Sequence, residues 1–561
     1  MDAPKSPIDS FGVSLGSSPT PRAAERNAEP WNILICSDLG FTSRAPQPLR
    51  IPEWNDFVKS AGVVLSGPAP DKLTGGTAPI YVELPLRTMK DFTQDGVSQH
   101  VPALAAISRA AFAIRRLLEG STNVADVVSM ITRAGLPPAE VARISKMLNP
   151  RPSSSAQQTS RPAPNEASSV DRILSMMNPS PAKEPQDSAP PLGLTAGLFQ
   201  AASGTGETFD KTGLAAYVDE CEQRITAQAD AISNQPFFAL RKASWNCLML
   251  LAKIIGRKPD AQITVFSAET THARDEFASV LGACLAQGRG PDIVVWDYDV
   301  TFANADMEAA SALLAVAEQY KCMVIAPTGM DDPLFAGISG RQSIAHHFDD
   351  VRFLPYKKLR TNPNSRCLCL CAPPLVMFGS ANGSVHANSR SCWYVALRWA
   401  EMLIMEKNPV AARQQRPGAE SVFAGGPLFL SDITASVSSD GAAMGLTLFE
   451  GTLDAAKLDK AKTVVGADAA DETFTGMAFN LFVNRVIRCC GLLLLAAGQA
   501  AQKKDVAAVL EEYVRRECEA CGIVGDGGAV SAIVRDDGAI AIAVESETTV
   551  SSYPVRFSFS L

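Results

Sequence analysis

Cys367-Leu-Cys369-Leu-Cys371 is the densest run of metal-ligating side chains in the chain, and thiolates can hold a zinc ion. On an extended strand, however, positions i, i+2 and i+4 lie in a line along one face, so a tetrahedral site would need ligands from elsewhere. The spacing predicts a buried strand with Leu368 and Leu370 filling the opposite face. Cys518-Glu-Ala-Cys521 has thioredoxin or zinc-knuckle spacing, yet no second such pair and no His pair follows, so packing at a helix end is expected. His346-His347 beside Asp349-Asp350 has the residue types of a metal or acid–base site. Neighbouring side chains on a helix diverge by about 100°, which predicts a surface or partly packed pair instead. Gly204-Thr205-Gly206 has no apolar strand ahead of it, and no G-x-x-x-x-G-K-S/T loop occurs, so neither a cofactor site nor nucleotide hydrolysis is expected. Residue order singles out no Ser/His/Asp or Cys/His arrangement, because geometry defines such sites. The expectation is no catalytic residue, no bound cofactor and no metal, hence no enzyme.

The elements that would carry function are therefore structural. At 561 residues the chain has room for roughly three or four domains. Its 46% hydrophobic and 20% charged residues suit a large core. A net charge of −8 and a pI of 5.4 argue against broad nucleic-acid binding, which calls for a basic surface. The first residues lack a signal peptide's basic and apolar regions, and no stretch approaches the roughly 20 apolar residues of a membrane span. The 13 Cys then read as reduced thiols, and a cytoplasmic protein without direct membrane insertion is expected.

Residues 1–28, rich in Ser, Pro and Ala, read as a disordered arm. Trp31 to Cys36 is a compact apolar strand followed by the turn Ser37-Asp38-Leu39-Gly40. From Tyr81 the side chains alternate, Tyr81 and Glu83 opposing Val82, Leu84 and Leu86. After Lys90-Asp91-Phe92 the period changes, and Leu104, Ile107, Ala111, Ile114, Leu117 and Leu118 form one helical stripe. Two short helical patterns follow between Val124 and Asn149. Residues 151–200 are dominated by Pro, Ser, Ala and Gln and read as a linker. One amphipathic island lies inside it, a short helix over residues 168–177 with Val170, Ile173, Leu174 and Met177 at i, i+3, i+4 and i+7. Such a helix suits docking into a partner's groove, or packing on its own protein.

Helical periodicity resumes from Leu214 to Leu251. Strands are expected at Ile263–Phe266, Ile293–Tyr298 and Met323–Pro327, with a helix at Glu276–Gln287. Helices over Phe479–Leu495 and Asp505–Ala520 and strands at Ala529–Val534 and Ala539–Val544 precede a final alternating strand, Tyr553 to Leu561. The fold class expected is α/β (α+β), mixed β-sheets with flanking helices.

These stretches resemble, in order, the two sheath subunits of the bacterial type VI secretion system. Asp91-Phe92, Val101-Pro102-Ala103-Leu104, Arg115-Arg116-Leu117-Leu118 and the opening strand Asn32-Ile33-Leu34-Ile35 are similar to the small subunit. Ile225 to Gln228 and Ile232, Pro236-Phe237-Phe238, Trp245 to Leu248, Asp297-Tyr298, and the block from Tyr356 through Ser365-Arg366 to Pro374 resemble the large one. Lys242, Tyr356 and Pro374 depart from the usual acidic residue, Trp and Arg. The resemblance implies a small-subunit-like domain, 29–150, fused through the linker to a large-subunit-like region, 201–561. It implies a helical tubular assembly of stacked rings in the cytoplasm, whose contraction drives an inner tube and its effectors through a target membrane. The implied partners are further copies of the chain, the inner tube protein, baseplate proteins and an AAA+ recycling ATPase. Val170, Asp171, Arg172, Ile173, Leu174 and Met177 stand where the family carries its ATPase-binding helix. Val555, Arg556, Phe557, Ser558 and Phe559 are candidates for a strand shared between subunits, although that strand can equally pair inside its own sheet. A non-contractile scaffold or baseplate component, and the sheath of a phage-like injection particle, are the alternatives.

Overall fold

Ile33 to Cys36 are apolar at every position, the pattern of a parallel strand covered on both faces, and all are buried. In the computed structural model they belong to β1 (Trp31–Ser37). The structure describes residues 30–49, 54–73, 78–149, 209–256, 261–328, 348–372, 375–379, 385–406, 428–429, 443, 446–448, 463–464, 476–498, 502–520, 528–550 and 553–561. The expected arm 1–28, the linker 151–200 with its helix 168–177, Gly204–Gly206, His346-His347 and Cys521 lie outside the described residues.

The other strands are β2 (Gln47–Leu49), β3 (Val63–Ala69), β4 (Ile80–Leu86), β5 (Ala261–Ser267), β6 (Ile293–Trp296), β7 (Met323–Pro327), β8 (Leu368–Ala372), β9 (Leu375–Gly379), β10 (Val385–Ser389), β11 (Leu428–Phe429), β12 (Leu446–Leu448), β13 (Ala529–Val534), β14 (Ile540–Val550) and β15 (Tyr553–Ser560). The helices are α1 (Trp54–Ser60), α2 (Gln94–His100), α3 (Pro102–Leu118), α4 (Val124–Ala134), α5 (Pro138–Leu148), α6 (Lys211–Ser233), α7 (Pro236–Ile255), α8 (Thr270–Ala286), α9 (Asn304–Tyr320), α10 (Leu354–Arg360), α11 (Ser391–Glu406), α12 (Met477–Ala497) and α13 (Lys503–Ala520). The protein is mixed α/β, as expected.

Two compact units divide the chain, and neither is continuous in sequence. The first takes residues up to Gly67, Pro85–Phe92 and Ser233–Leu561; the second takes Pro68–Leu84 and Thr93–Ile232. These units cut across the consecutive parts 29–150 and 201–561.

The first unit is built on a seven-stranded sheet in the order β12-β8-β7-β6-β1-β5-β2. All its neighbouring pairs are parallel except β2 with β5. β5 and β6 are consecutive around α8, yet β1 lies between them, pairing Ile33 with Ile263 and Ile293, and Ile35 with Val265 and Val295. The crossover therefore skips one strand position, leaving a slot two spacings wide, about 9.5 Å, that a segment over two hundred residues upstream fills. On one face Leu34, Cys36, Phe266, Val294, Trp296, Val324 and Leu370 join Phe277, Leu281, Met307 and Leu314 of α8 and α9 in one core. The opposite face is covered by α7, which contacts β5, and α11, which contacts β6 to β8. A second layered body follows, in which α12 and α13 pack on the three-stranded antiparallel sheet β13-β14-β15 around Phe482, Leu510, Val514, Ile542 and Phe557.

The helix α12 corrects one expectation, since by length and composition it is apolar enough to cross a bilayer. In this structure it is a packed helix: Phe479, Leu481, Phe482, Val486 and Cys490 are buried, and so are its Asn480, Asn484, Arg485 and Arg488.

The second unit is a helical cluster. The stripe expected on α3 is buried at Leu104, Ile107, Ala111, Ile114 and Leu117, with Leu118 partly so, and from Ile107 onward it packs with α4, α5 and the Leu214, Tyr217, Val218 and Cys221 face of α6. Asn123 caps α4 through the Asp126 N–H, and Gly135 ends it at φ 78°, a conformation that favours glycine. Gln228, fully buried on α6, accepts from the Lys72 N–H and donates to Pro70 O at 2.9 Å. Arg224 pairs with Glu140 at 2.7 Å, and the Tyr217 hydroxyl donates to the same carboxylate at 3.0 Å.

The Asp210 N–H donates to Met147 O at 3.0 Å, so the two ends of the segment 150–208 meet. Connecting them needs only a short turn. Replacing 151–207 by six Gly/Ser residues is expected to leave the fold intact and to raise stability by about 2 kcal/mol through the shorter loop closure. A lowered unfolding midpoint in urea would contradict this.

Candidate functional site

Open α/β sheets bind ligands outside the carboxyl ends of their strands, and here the ends of β1, β5 and β6 carry side chains that bond to the protein itself. Asp297 follows β6 and is 1% exposed. Its carboxylate accepts from Ser37 Oγ at 2.6 Å and from Ser244 Oγ on α7, and lies 3.5 Å from the Arg390 guanidinium. Its N–H donates to Cys36 O at 2.8 Å. Ser267, at the end of β5, accepts from the N–H groups of Leu39 and Phe41 at 3.0 and 3.3 Å. The Trp245 indole N–H donates to Leu39 O at 3.1 Å, within an aromatic group of Phe41, Trp54 and Phe57. Asp297 thus ties β1, β6, α7 and the start of α11 together. The resemblance singled out Asp297, Tyr298 and Trp245, and each holds a buried structural hydrogen bond, Tyr298 donating its hydroxyl to Ala268 O at 2.6 Å. Tyr356, standing in place of the usual Trp, is fully buried against Phe302 and Phe348, which Phe353 also packs on.

The amino end of β1 is held by charge. Asn32 N–H donates to Asp292 Oδ2, and Asp292 N–H to Asn32 O, both at 2.8 Å. Arg485 and Arg488, one turn apart on α12, converge on the same carboxylate at 3.1 and 2.5 Å. The Arg485 guanidinium lies 4.0 Å from the Trp31 ring centroid. Burial works against the Arg485 charge, but the acidic groups around it, Asp292 foremost with Cys489, Tyr513 and Glu517, together hold the guanidinium above its ordinary pKa. Sequence reasoning missed this triad. Its signal was present, since two arginines three apart in the apolar run Phe479 to Cys490 require a buried carboxylate.

The cysteines do not converge. β8 is buried along its whole length, with Leu368 and Leu370 in the α8/α9 core. Cys369 Sγ meets Thr447 Oγ1 at 3.4 Å, Cys371 Sγ donates to Ala326 O at 3.3 Å, and Cys367 Sγ donates to Glu318 at 3.1 Å. All twelve described cysteines are buried. Burial pushes the thiols of Cys247, Cys322, Cys369 and Cys518 up to about 12 from an ordinary 9.0. A raised pKa favours the fold below pH 9.0, and that contribution is lost as pH rises towards 12. The folded chain is therefore expected to leave at least these four thiols unmodified by iodoacetamide at pH 8, where only thiolate reacts, and to lose stability above pH 9. Fast labelling of Cys369 by mass spectrometry would contradict the expectation.

Among the described residues, the C-terminal sheet has an open edge at β15. β15 pairs antiparallel with β14, Phe557 opposite Val544 and Phe559 opposite Ile542. The strand's pairing is thus internal along this edge. Phe557 is 9% exposed, against Phe479 and Phe482 at ring distances of 6.0 and 6.4 Å, which anchors the strand. Ile540 and Leu561 exchange both backbone bonds, 3.2 and 3.0 Å. By antiparallel alternation the N–H and C=O groups of Arg556, Ser558 and Ser560 point away from β14. Among the described residues no strand pairs with that edge. Within the candidate stretch Val555 to Phe559 it is thus Arg556 and Ser558, followed by Ser560, that present outward backbone donors and acceptors. Val170 to Met177 of the expected ATPase-binding helix lie outside the described residues.

No family model and no curated protein matches the chain. Among solved structures, a chain of the anti-feeding prophage (AFP) baseplate, determined by cryo-EM and 6-fold symmetrised, is similar at a TM-score of 0.35 and 12% identity over 56% of this chain and 78% of that one. A likeness this slight assigns neither fold nor activity.

Proposed function

We propose that the chain is a structural subunit of a contractile injection assembly, combining in one polypeptide the small and large sheath subunits of a type VI secretion system. The observation that carries this reading is the outward edge of β15, a strand fixed by Phe557 yet open along Arg556 to Ser560, next to a collinear resemblance to both subunits. Neighbouring copies pair along this edge into stacked rings around an inner tube, and contraction exchanges one packing of the rings for another. The work is conformational rather than catalytic, and the assembly is cytoplasmic. The buried, fully engaged Asp297 and the dispersed, buried thiols support a scaffold over an enzyme.

The meeting of Met147 and Asp210 supports a role for the intervening segment other than spacing, because its length is not needed to join its ends. The Val170–Met177 island is then a handle for the recycling ATPase. Ile173→Asp with Leu174→Asp is expected to abolish ATPase binding in a pull-down while tubes still form; undiminished capture would remove that role.

Electron microscopy of lysate and of the purified chain tests the main reading. Hollow tubes in two lengths and diameters support a contractile sheath. Monomers or small closed rings, with the inner tube protein added, would favour the non-contractile scaffold.

A further inference from the structure

α3 and α6 belong to one helical cluster of the second unit, and the ion pair of Arg115 with Glu222 joins their exposed flanks. Residues 102–116 of α3 contain no acidic side chain. Arg109, Phe112 and Arg116 recur there at i, i+3 and i+7, turned away from the buried stripe, and Phe112 is 60% exposed. A single exposed Phe needs no account. Set between arginines, it has the composition of contacts that carry binding energy. On α6, Asp219, Glu222, Gln223, Thr226, Ala227 and Asp230 share one face and line a single open depression. This row has no basic member. Arg224, the one base between Lys211 and Asp230, turns instead to Glu140 and to Leu73 O, at 2.7 and 2.8 Å.

We propose that the basic row of α3 in one copy docks on the acidic row of α6 in another, with Phe112 seated in the α6 depression and Arg109 and Arg116 over its carboxylates. The two rows match in sign and in length. From Arg109 to Arg116 is about 11 Å along the helix and from Asp219 to Asp230 about 17 Å, so the first fits within the second. The positive edge of the Phe112 ring suits a seat lined by carboxylates. A chain cannot bring these rows face to face on itself, because they border one another on the outside of one cluster, joined at Arg115 and Glu222. A second copy brings the row that each lacks. Used one at a time, the rows let the contact run on from copy to copy; used together, they close a dimer. At about 17 Å by the roughly 10 Å width of a helix, the contact covers far less than the roughly 800 Å² per partner of a stable pair. It is therefore weak, and screened by salt. The proposal stands apart from the sheath reading, since it needs only two copies.

The test is sedimentation of the full chain over about 1 to 100 μM, carrying Ser558→Pro so that β15 contributes no pairing. Mass is expected to rise with concentration in about 50 mM salt, and the association constant to fall about tenfold in about 500 mM. Arg109→Glu with Arg116→Glu makes both rows acidic, and Asp219→Lys with Asp230→Lys makes both basic. Each variant alone is expected to associate at least about tenfold more weakly, as like charges meet. Mixing the two in equal amounts is expected to restore association, because each then supplies the row that the other has lost. Restoration also shows that both variants fold. Phe112→Ser is expected to weaken association by about tenfold. A chain that stays monomeric throughout overturns the proposal, and a monomer whose charge-reversed forms sediment at a changed rate at every concentration points instead to one of the chain's own segments on the row. Association undiminished in either charge-reversed form, or a mixture no stronger than its parts, overturns it as well.

Discussion

Asp292→Ala is expected to lower the stability of the first unit by about 3–5 kcal/mol, the cost of leaving a buried charge without its partner. The Asp292 carboxylate is fully buried, and it is shared by Arg485 and Arg488, whose side chains are 2% and 8% exposed. Its removal strands two guanidinium groups in a low-dielectric interior and deletes the acceptor of the Asn32 N–H, freeing the amino end of β1. The loss should concentrate on β1, so hydrogen exchange at Ile33 to Cys36 is expected to quicken along with a lower urea midpoint. Replacing all three charged residues, Asp292→Leu with Arg485→Met and Arg488→Met, is expected to recover most of the loss, because a well-packed apolar substitute for a buried ion cluster is tolerated. A cost for Asp292→Ala below about 1 kcal/mol, the worth of an exposed pair, would show that the triad does not hold β1.

Ser558→Pro is expected to abolish assembly while leaving the isolated chain folded. The Ser558 N–H points away from β14, so proline removes no bond of the β14–β15 ladder. On the outer edge it deletes a donor and adds a ring where a neighbouring strand would lie. Phe559→Pro is the matched contrast, since its N–H faces β14 and its loss should unfold the C-terminal sheet. The checks are sedimentation and electron microscopy for assembly, with circular dichroism for the fold. Tubes of normal length from a folded Ser558→Pro chain would rule out this edge as the contact.

Much of the architecture was legible because periodicity reports which faces are buried. The alternation from Tyr81 to Leu86 is a strand with Val82, Leu84 and Leu86 inside, and the stripe from Leu104 to Leu117 is a buried helix face. Leu368 to Cys371 form the buried strand that the alternation implies, whereas Cys367, expected in the same strand, closes the short 3-10 turn before it. The helices α9 and α11 were not anticipated, although Met307, Ala310, Leu314 and Ala317 carry the three-to-four spacing of α9. In α11 the run Cys392 to Leu397 is buried throughout, and a helix covered on all sides shows no stripe.

Of the candidate site, the residues of β15 were visible as an alternating strand, but not the direction of their backbone groups. That direction depends on which residue of β14 each one opposes. A shift of register by one residue would reverse it.

By itself, then, the amino-acid sequence determined the apolar faces, the strand and helix periods, the acidic balance and the change of composition at residue 150. Only the tertiary structure decided that β1 lies between β5 and β6, that Asp292 answers Arg485 and Arg488, and that Met147 meets Asp210. The physical reason is that burial is a property each residue carries locally, whereas a parallel strand's neighbours and a buried charge's partner are chosen across hundreds of residues, among many segments of equal apolarity.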